Sequence, residues 1–436
     1  MRAPPQMSGP RLEVGFGPDD TVELALVEGD AREIAGSCPV SEIGLPSEIR
    51  FAATEVIDPP DALPAGLQSV AAHAHRFANE PGVWLWVAPA SSRLPLLPWE
   101  RWLAPQLART VVRLGLDVAH APRRRQPCAA IWASLPDDEM RYSVPDTCAQ
   151  LARGADALFG AGVQTHVFTD APLVDQVEQM VPPNVSVHHP PADLTDSAAA
   201  SPTRRIRDPW LRWMVTSIDG PVDLFAVVGH GVYTQGSGVL AVAESPHLER
   251  VGASRYVGSQ QLIAALDYMG CSALAVVMAH DCYSRSGLLR LADTIARSRA
   301  GTVAVLDARE QVGGDVGDAL FAALLPFEQH QPFSLQDLHG APGVRVYSSP
   351  EALENARSGS ELDAMLARVE STVDAQPELW RAEAFVRQTA ARLDSAAGTS
   401  RGQRAALEYL TKLLESSDAP PEIDVDALRR RDGGDA

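Results

Sequence analysis

Pro221-Val-Asp-Leu-Phe-Ala-Val-Val-Gly-His-Gly231 and Ser272-Ala-Leu-Ala-Val-Val-Met-Ala-His-Asp-Cys282 each hold a Val-rich apolar run too short to span a membrane. Each reads as a strand buried on both faces. Between them, the apolar residues of 256–269 recur at helical spacing, so strand, crossover helix and strand make a parallel unit. Both strands then finish on one edge of the sheet, where open α/β folds carry their sites. The first run ends in Gly229-His230-Gly231 and the second in His280-Asp281-Cys282, so His230 and Cys282 are expected to face each other across one crevice.

That pairing suits nucleophilic catalysis. The thiolate attacks, while an imidazole within hydrogen-bond reach takes the thiol proton and later gives it to a leaving amine. Gly231 admits close backbone approach, so its N–H and that of Cys282 are candidate donors to an oxyanion. His280 is a second candidate base, but adjacent residues at a strand end point apart, which favours His230.

Val228-Gly-His-Gly231 and Met278-Ala-His-Asp-Cys-Tyr-Ser284 resemble the histidine and cysteine motifs of the CHAT family, caspase-like cysteine peptidases of the group that includes caspases, separase and clostripain-like enzymes. In the expected order, Trp84-Leu-Trp-Val-Ala88 and Leu94-Pro-Leu-Leu-Pro-Trp-Glu100 resemble the family's strand and its Leu-Pro-Trp-Glu element. Segments 290–306 and 314–325 resemble those that follow the nucleophile, and the likeness covers residues 80–345 in short motifs. It implies a caspase-like, largely parallel sheet flanked by helices, and a cysteine endopeptidase that cleaves proteins without a cofactor or metal. It also implies latency relieved by a protein partner or signal, in bacterial defence or programmed cell death. Two positions depart from the pattern: Asp281 replaces a small residue before the nucleophile, and His280 replaces the acid found in relatives that cut after basic residues. The competing reading is a catalytically inactive caspase-like scaffold that serves assembly or signalling. A small-molecule α/β hydrolase is disfavoured by the lack of a Gly-x-Ser-x-Gly or Gly-x-Cys-x-Gly elbow.

The chain's 436 residues allow one large α/β domain with an appendage. A net charge of −19 argues against direct nucleic-acid or acidic-membrane binding, since phosphate binding needs a basic footprint. Five cysteines without paired spacing point to free thiols in a reducing compartment, and no Cys-x-x-Cys or His pair offers zinc geometry. His188 and His189 are expected at the surface. With neither a signal-peptide core nor a spanning apolar run, the protein is expected in the cytoplasm.

Residues 1–79 read as an extension with strands at 21–27 and 48–56 and an amphipathic helix at 66–79, which either lengthens the sheet or docks beside it. Residues 80–347 read as the caspase-like domain, with strands at 82–88, 128–132, 164–168 and 184–187, and helices opening at Pro98 and over 146–159. Trp99 and Trp102 are expected in the core. Segment 193–208 reads as an exposed loop; its arginines at 204, 205 and 207, like those at 429–431, are solvated clusters or self-cleavage points. A helix over 286–300 would set Cys282 near a helix N-terminus, favouring its thiolate. The next strand ends in Asp307, which with Asp281 is a candidate carboxylate for the substrate pocket; pairing with Arg309 is the alternative for Asp307. Residues 348–417 read as a helical module that packs on the sheet or docks a regulator, and the Pro- and Asp-rich 418–436 as a tail without structure.

Overall fold

The computed structural model describes residues 9–45, 59–78, 80, 82–88, 92–115, 126–136, 143–160, 162–192, 205–234, 237–247, 253–278, 285–299, 301–307, 315–328 and 343–349. The expected strand at 48–56, Arg204, the cluster around Arg429, the helical module 348–417 and the tail lie outside these residues, whereas Arg205 and Arg207 are described and exposed, as expected of a solvated cluster.

The protein is α/β: among the described residues, fourteen strands join one mixed, mostly parallel sheet flanked by helices. One half holds β1 (Arg11–Phe16), β2 (Thr21–Glu28), β3 (Ala31–Pro39), β4 (Val83–Val87) and β5 (Val111–Leu114), ordered β3-β2-β1-β4-β5. The other half contains β6 (Cys128–Ala133), β7 (Gln164–Thr169), β8 (Val185–His188) and β9 (Leu224–Thr234). From β9 the chain folds back as β10 (Ser237–Ala243) and β11 (Ser254–Gly258), then returns as β12 (Ala273–Met278) and β13 (Thr302–Asp307). The order β13-β12-β9-β6-β7-β8 is parallel throughout. A last strand, β14 (Val344–Ser348), joins the halves, antiparallel to β13 and parallel to β5.

Period-two alternation explains why the central strands are buried on both sides. In β12, Ala273, Ala275 and Val277 enter one core cluster, while Leu274, Val276 and Met278 enter another. The first lies under α2 (Val144–Phe159), α3 (Val174–Met180) and α7 (Val316–Glu328); the second under α4 (Pro209–Ser217), α5 (Ser259–Tyr268) and α6 (Arg285–Ala296). Around β1, β2 and α1 (Trp99–Leu107) a third cluster forms, with Trp99 and Trp102 buried in edge-to-face contact at 5.2 Å.

One open alternative is settled and three expectations change. β1 pairs in parallel with β4, so the opening segment lengthens the sheet, and its helix is a 3-10 helix over Ala65–Phe77. The strand carrying His230 does not stop at Gly229-His-Gly231 but runs on to Thr234, with β10 and β11 completing a hairpin. These glycines mark close packing, not a strand end: a Cβ on Gly229 would meet the Leu240 side chain at 2.5 Å. Residues 256–258 accordingly belong to β11, and the crossover helix begins at Ser259.

Glu100 and Arg113 form a buried node between the halves. Arg113 Nε and Nη2 donate to Glu100 at 2.5 and 3.1 Å, Nη1 to Pro95 O at 2.5 Å, Nη2 to Leu97 O at 2.9 Å, and Nη1 to Tyr347 Oη at 3.3 Å. The Leu-Pro-Trp-Glu element is thereby bolted to β5 and β14. Burial alone would raise the Glu100 pKa, but Arg113 and Arg345 together outweigh it and hold the carboxyl below its ordinary range.

His188 corrects a further expectation: it is partly buried, stacked on Phe168 at 4.3 Å and 2.9 Å from His166 Nδ1, whereas His189 is exposed beside Glu178. Burial, and then His166, lowers the His188 pKa to about 4. As pH falls below the unfolded value of about 6.5, the unfolded chain takes up the proton first. Stability is therefore lost from that point downward, until the folded ring also protonates at about 4. His188→Phe is expected to flatten this acid slope in chemical-denaturation midpoints; a slope as steep as wild type would assign it to other groups.

Candidate active site

Sequence order runs outward from β6 through β7 to β8 on one side, and from β9 through β12 to β13 on the other. The reversal between β6 and β9 is a topological switch point, where the diverging connections leave a crevice beyond the carboxyl ends of the strands. The last rung shared by β9 and β12 sets Gly229 opposite Met278, and Met278 in turn stands opposite Asp307. His230 lies one residue beyond that rung, 6% exposed, paired with Ala241 of β10. The parallel strands and their shared edge are as the sequence implies. Cys282 and Asp281, with His280, lie outside the described residues, in the link 279–284 between β12 and α6.

The start of α6 presses on the hairpin through glycine. A Cβ on Gly287 would meet Val232 N at 2.5 Å and the Gly231 carbonyl carbon at 2.7 Å, and one on Gly238 would meet the Gly287 carbonyl oxygen at 2.0 Å. No larger residue at 287 allows that approach without backbone movement. Gly231, the candidate oxyanion donor, thus sits in β9 opposite Leu240, with α6 against its backbone. Asp307 ends β13 fully buried and ion-paired with Arg285 Nε at 2.9 Å, which ties the strand end to the first residue of α6. Arg309 lies outside the described residues.

Two further residues that sequence reasoning missed brace this edge. Ser134, just past β6, donates its hydroxyl to Asp170 Oδ1 at 2.9 Å, and Asp170, just past β7, accepts from Leu135 N at 3.4 Å. The Ser134 hydroxyl also accepts from Ala243 N at 3.1 Å, so the pair fastens the far end of β10 across the ends of β6 and β7. Both are buried, with 1% and 0% exposure. Their only trace in sequence is one polar residue directly after an apolar strand.

The remaining cysteines are poor nucleophiles. Cys38, Cys128, Cys148 and Cys271 are buried free thiols. Burial pushes Cys148 and Cys271 up to about 12, and burial with the Glu42 charge pushes Cys38 up to about 11. The described residues set a buried imidazole one residue beyond the last rung shared by β9 and β12, and the chain's remaining cysteine belongs to the link that follows β12. Compared with known proteins, the chain matches no protein-family model and no curated protein.

Proposed function

We propose that the chain is a caspase-like cysteine endopeptidase, with Cys282 as nucleophile and His230 as general base and acid, latent until a partner protein or signal switches it on. One observation carries the reading: His230 projects from the strand directly beside and parallel to β12, whose chain reaches Cys282 four residues after Met278. His230 takes the thiol proton, the thiolate attacks the scissile carbonyl, and the N–H groups of Gly231 and Cys282 receive the oxyanion. Collapse releases the amine with the proton from His230, and water then hydrolyses the thioester. The partial positive charge at the start of α6, three residues after Cys282, favours the thiolate. Resemblance to the CHAT family supports the latency, a protein substrate, and a setting in bacterial defence or programmed cell death.

The test is covalent labelling with biotinylated peptide acyloxymethyl ketones in cells that co-express the chain with its genomic neighbours. Label is expected on the peptide bearing Cys282, and is expected to vanish in Cys282→Ala. Absence of label under every co-expression condition would favour the inactive scaffold.

A further inference from the structure

The chain leaves β12 at Met278, passes Cys282, and reaches the first residue of α6 at Arg285. Both of those described ends meet the same residue. Met278 and Asp307 are the last pair on the ladder between β12 and β13, and Arg285 Nε lies 2.9 Å from Asp307 Oδ2. Asp307 is itself held in place: it ends β13, its N–H donates to Gly343 O at 3.0 Å, and its side chain is 1% exposed, against 36% for that of Arg285. Arg345 stands near enough to Arg285 for the two like charges to repel, so it offers no other anchor. Two residues further into α6, Gly287 lies at backbone distance from Gly231 and Val232, directly past His230. The ion pair thus fixes the start of the helix that is packed against the strand bearing His230.

We propose that Asp307 is a positioning residue: through Arg285 it fastens the far end of the link 279–284 to the rung where that link begins, and so sets the distance between Cys282 and His230. This rests on the peptidase reading. The ladder between β12 and β13 fixes only the start of the link; without the ion pair, its other end moves with the first turn of α6. A shift of about 1 Å between reacting groups can cost about 10²-fold in rate. The sequence also offers Asp307 as a carboxylate for the substrate pocket, but a side chain this deeply buried presents its charge to Arg285 rather than to a substrate cation.

Two biotinylated peptide acyloxymethyl ketones, one with Arg and one with Leu next to the ketone, test the assignment in lysates of cells that co-express the chain with its genomic neighbours. Asp307→Asn is close in shape and leaves the half-exposed Arg285 able to reach water, so the fold is expected to persist. Its maximal labelling rate at Cys282 should fall about tenfold to 10²-fold for both probes, with the half-saturating concentration within about twofold of wild type. The pH at which iodoacetamide modifies Cys282 should rise toward about 8.5, a change that mere loss of folded protein does not produce. Arg285→Lys, which keeps a cation within reach of Asp307, should stay within about threefold of wild type, and Asp307→Asn with Arg285→Gln should lose no more than Asp307→Asn alone. A higher half-saturating concentration for the Arg probe alone would make Asp307 a substrate carboxylate and overturn the positioning role. Unchanged labelling and alkylation in Asp307→Asn overturn it too, and leave the peptidase reading intact. No Cys282-dependent labelling of wild type overturns both.

Discussion

His230→Ala is expected to lower kcat for peptide-bond cleavage by about 10²- to 10⁴-fold, the range for loss of a positioned acid/base. The reason is positional. His230 is the first residue past the last shared rung of β9 and β12, at the reversal in strand order, and its strand is fixed on both sides by β6 and β12. A second readout separates base catalysis from mere folding: the pH at which iodoacetamide modifies Cys282 should rise in the variant toward an ordinary thiol near 8.5. Wild-type kcat and an unmoved alkylation curve in His230→Ala would remove the imidazole from the mechanism.

Arg113→Met is expected to destabilise the protein by about 3–5 kcal/mol, because it leaves the Glu100 carboxylate buried without its main partner. The guanidinium also satisfies the carbonyls of Pro95 and Leu97, which have no replacement donor in a methionine. The measurement is the midpoint of guanidinium unfolding. Glu100→Gln combined with Arg113→Met should cost less than the sum of the single changes, since the uncompensated charge is then gone. In wild type the depressed Glu100 pKa implies stability that is complete above the ordinary glutamate value and is lost as pH falls through the folded one. Glu100→Gln should not show that acid loss.

The central parallel unit is legible in sequence because its strands alternate strictly. Val and Ala on one face, and Leu, Val and Met on the other, leave no polar residue within β12 to suggest anything but a strand covered on both sides. The hairpin after His230 is not legible, because Gly229 and Gly231 carry two meanings: glycine signals a turn, and it also signals a neighbour at backbone distance. Here Leu240 and Gly287 are those neighbours, the first on the returning strand of the hairpin and the second far along the chain in α6. Ser134 and Asp170 are hidden for a related reason: each looks like any polar residue after a strand, and they acquire a role only when β6, β7 and β10 converge. His188 escapes because the stack that buries it comes from Phe168 on the neighbouring strand. Asp307 is legible in place, at the shared edge, but its ion pair with Arg285 depends on how α6 returns over the sheet.

The seam made by β14 also bears on how the chain matures during translation. Strands β1 to β5 leave the ribosome first and β6 to β13 after them, yet the rungs that join the two blocks, Tyr347 to Arg113 and Ser348 to Leu114, are encoded by the last described strand. Until that segment emerges, Arg113 has no tyrosine hydroxyl to meet and the edge of β5 has no companion. Each nascent block must therefore keep its own apolar surface covered, and final closure of the sheet waits for residue 348.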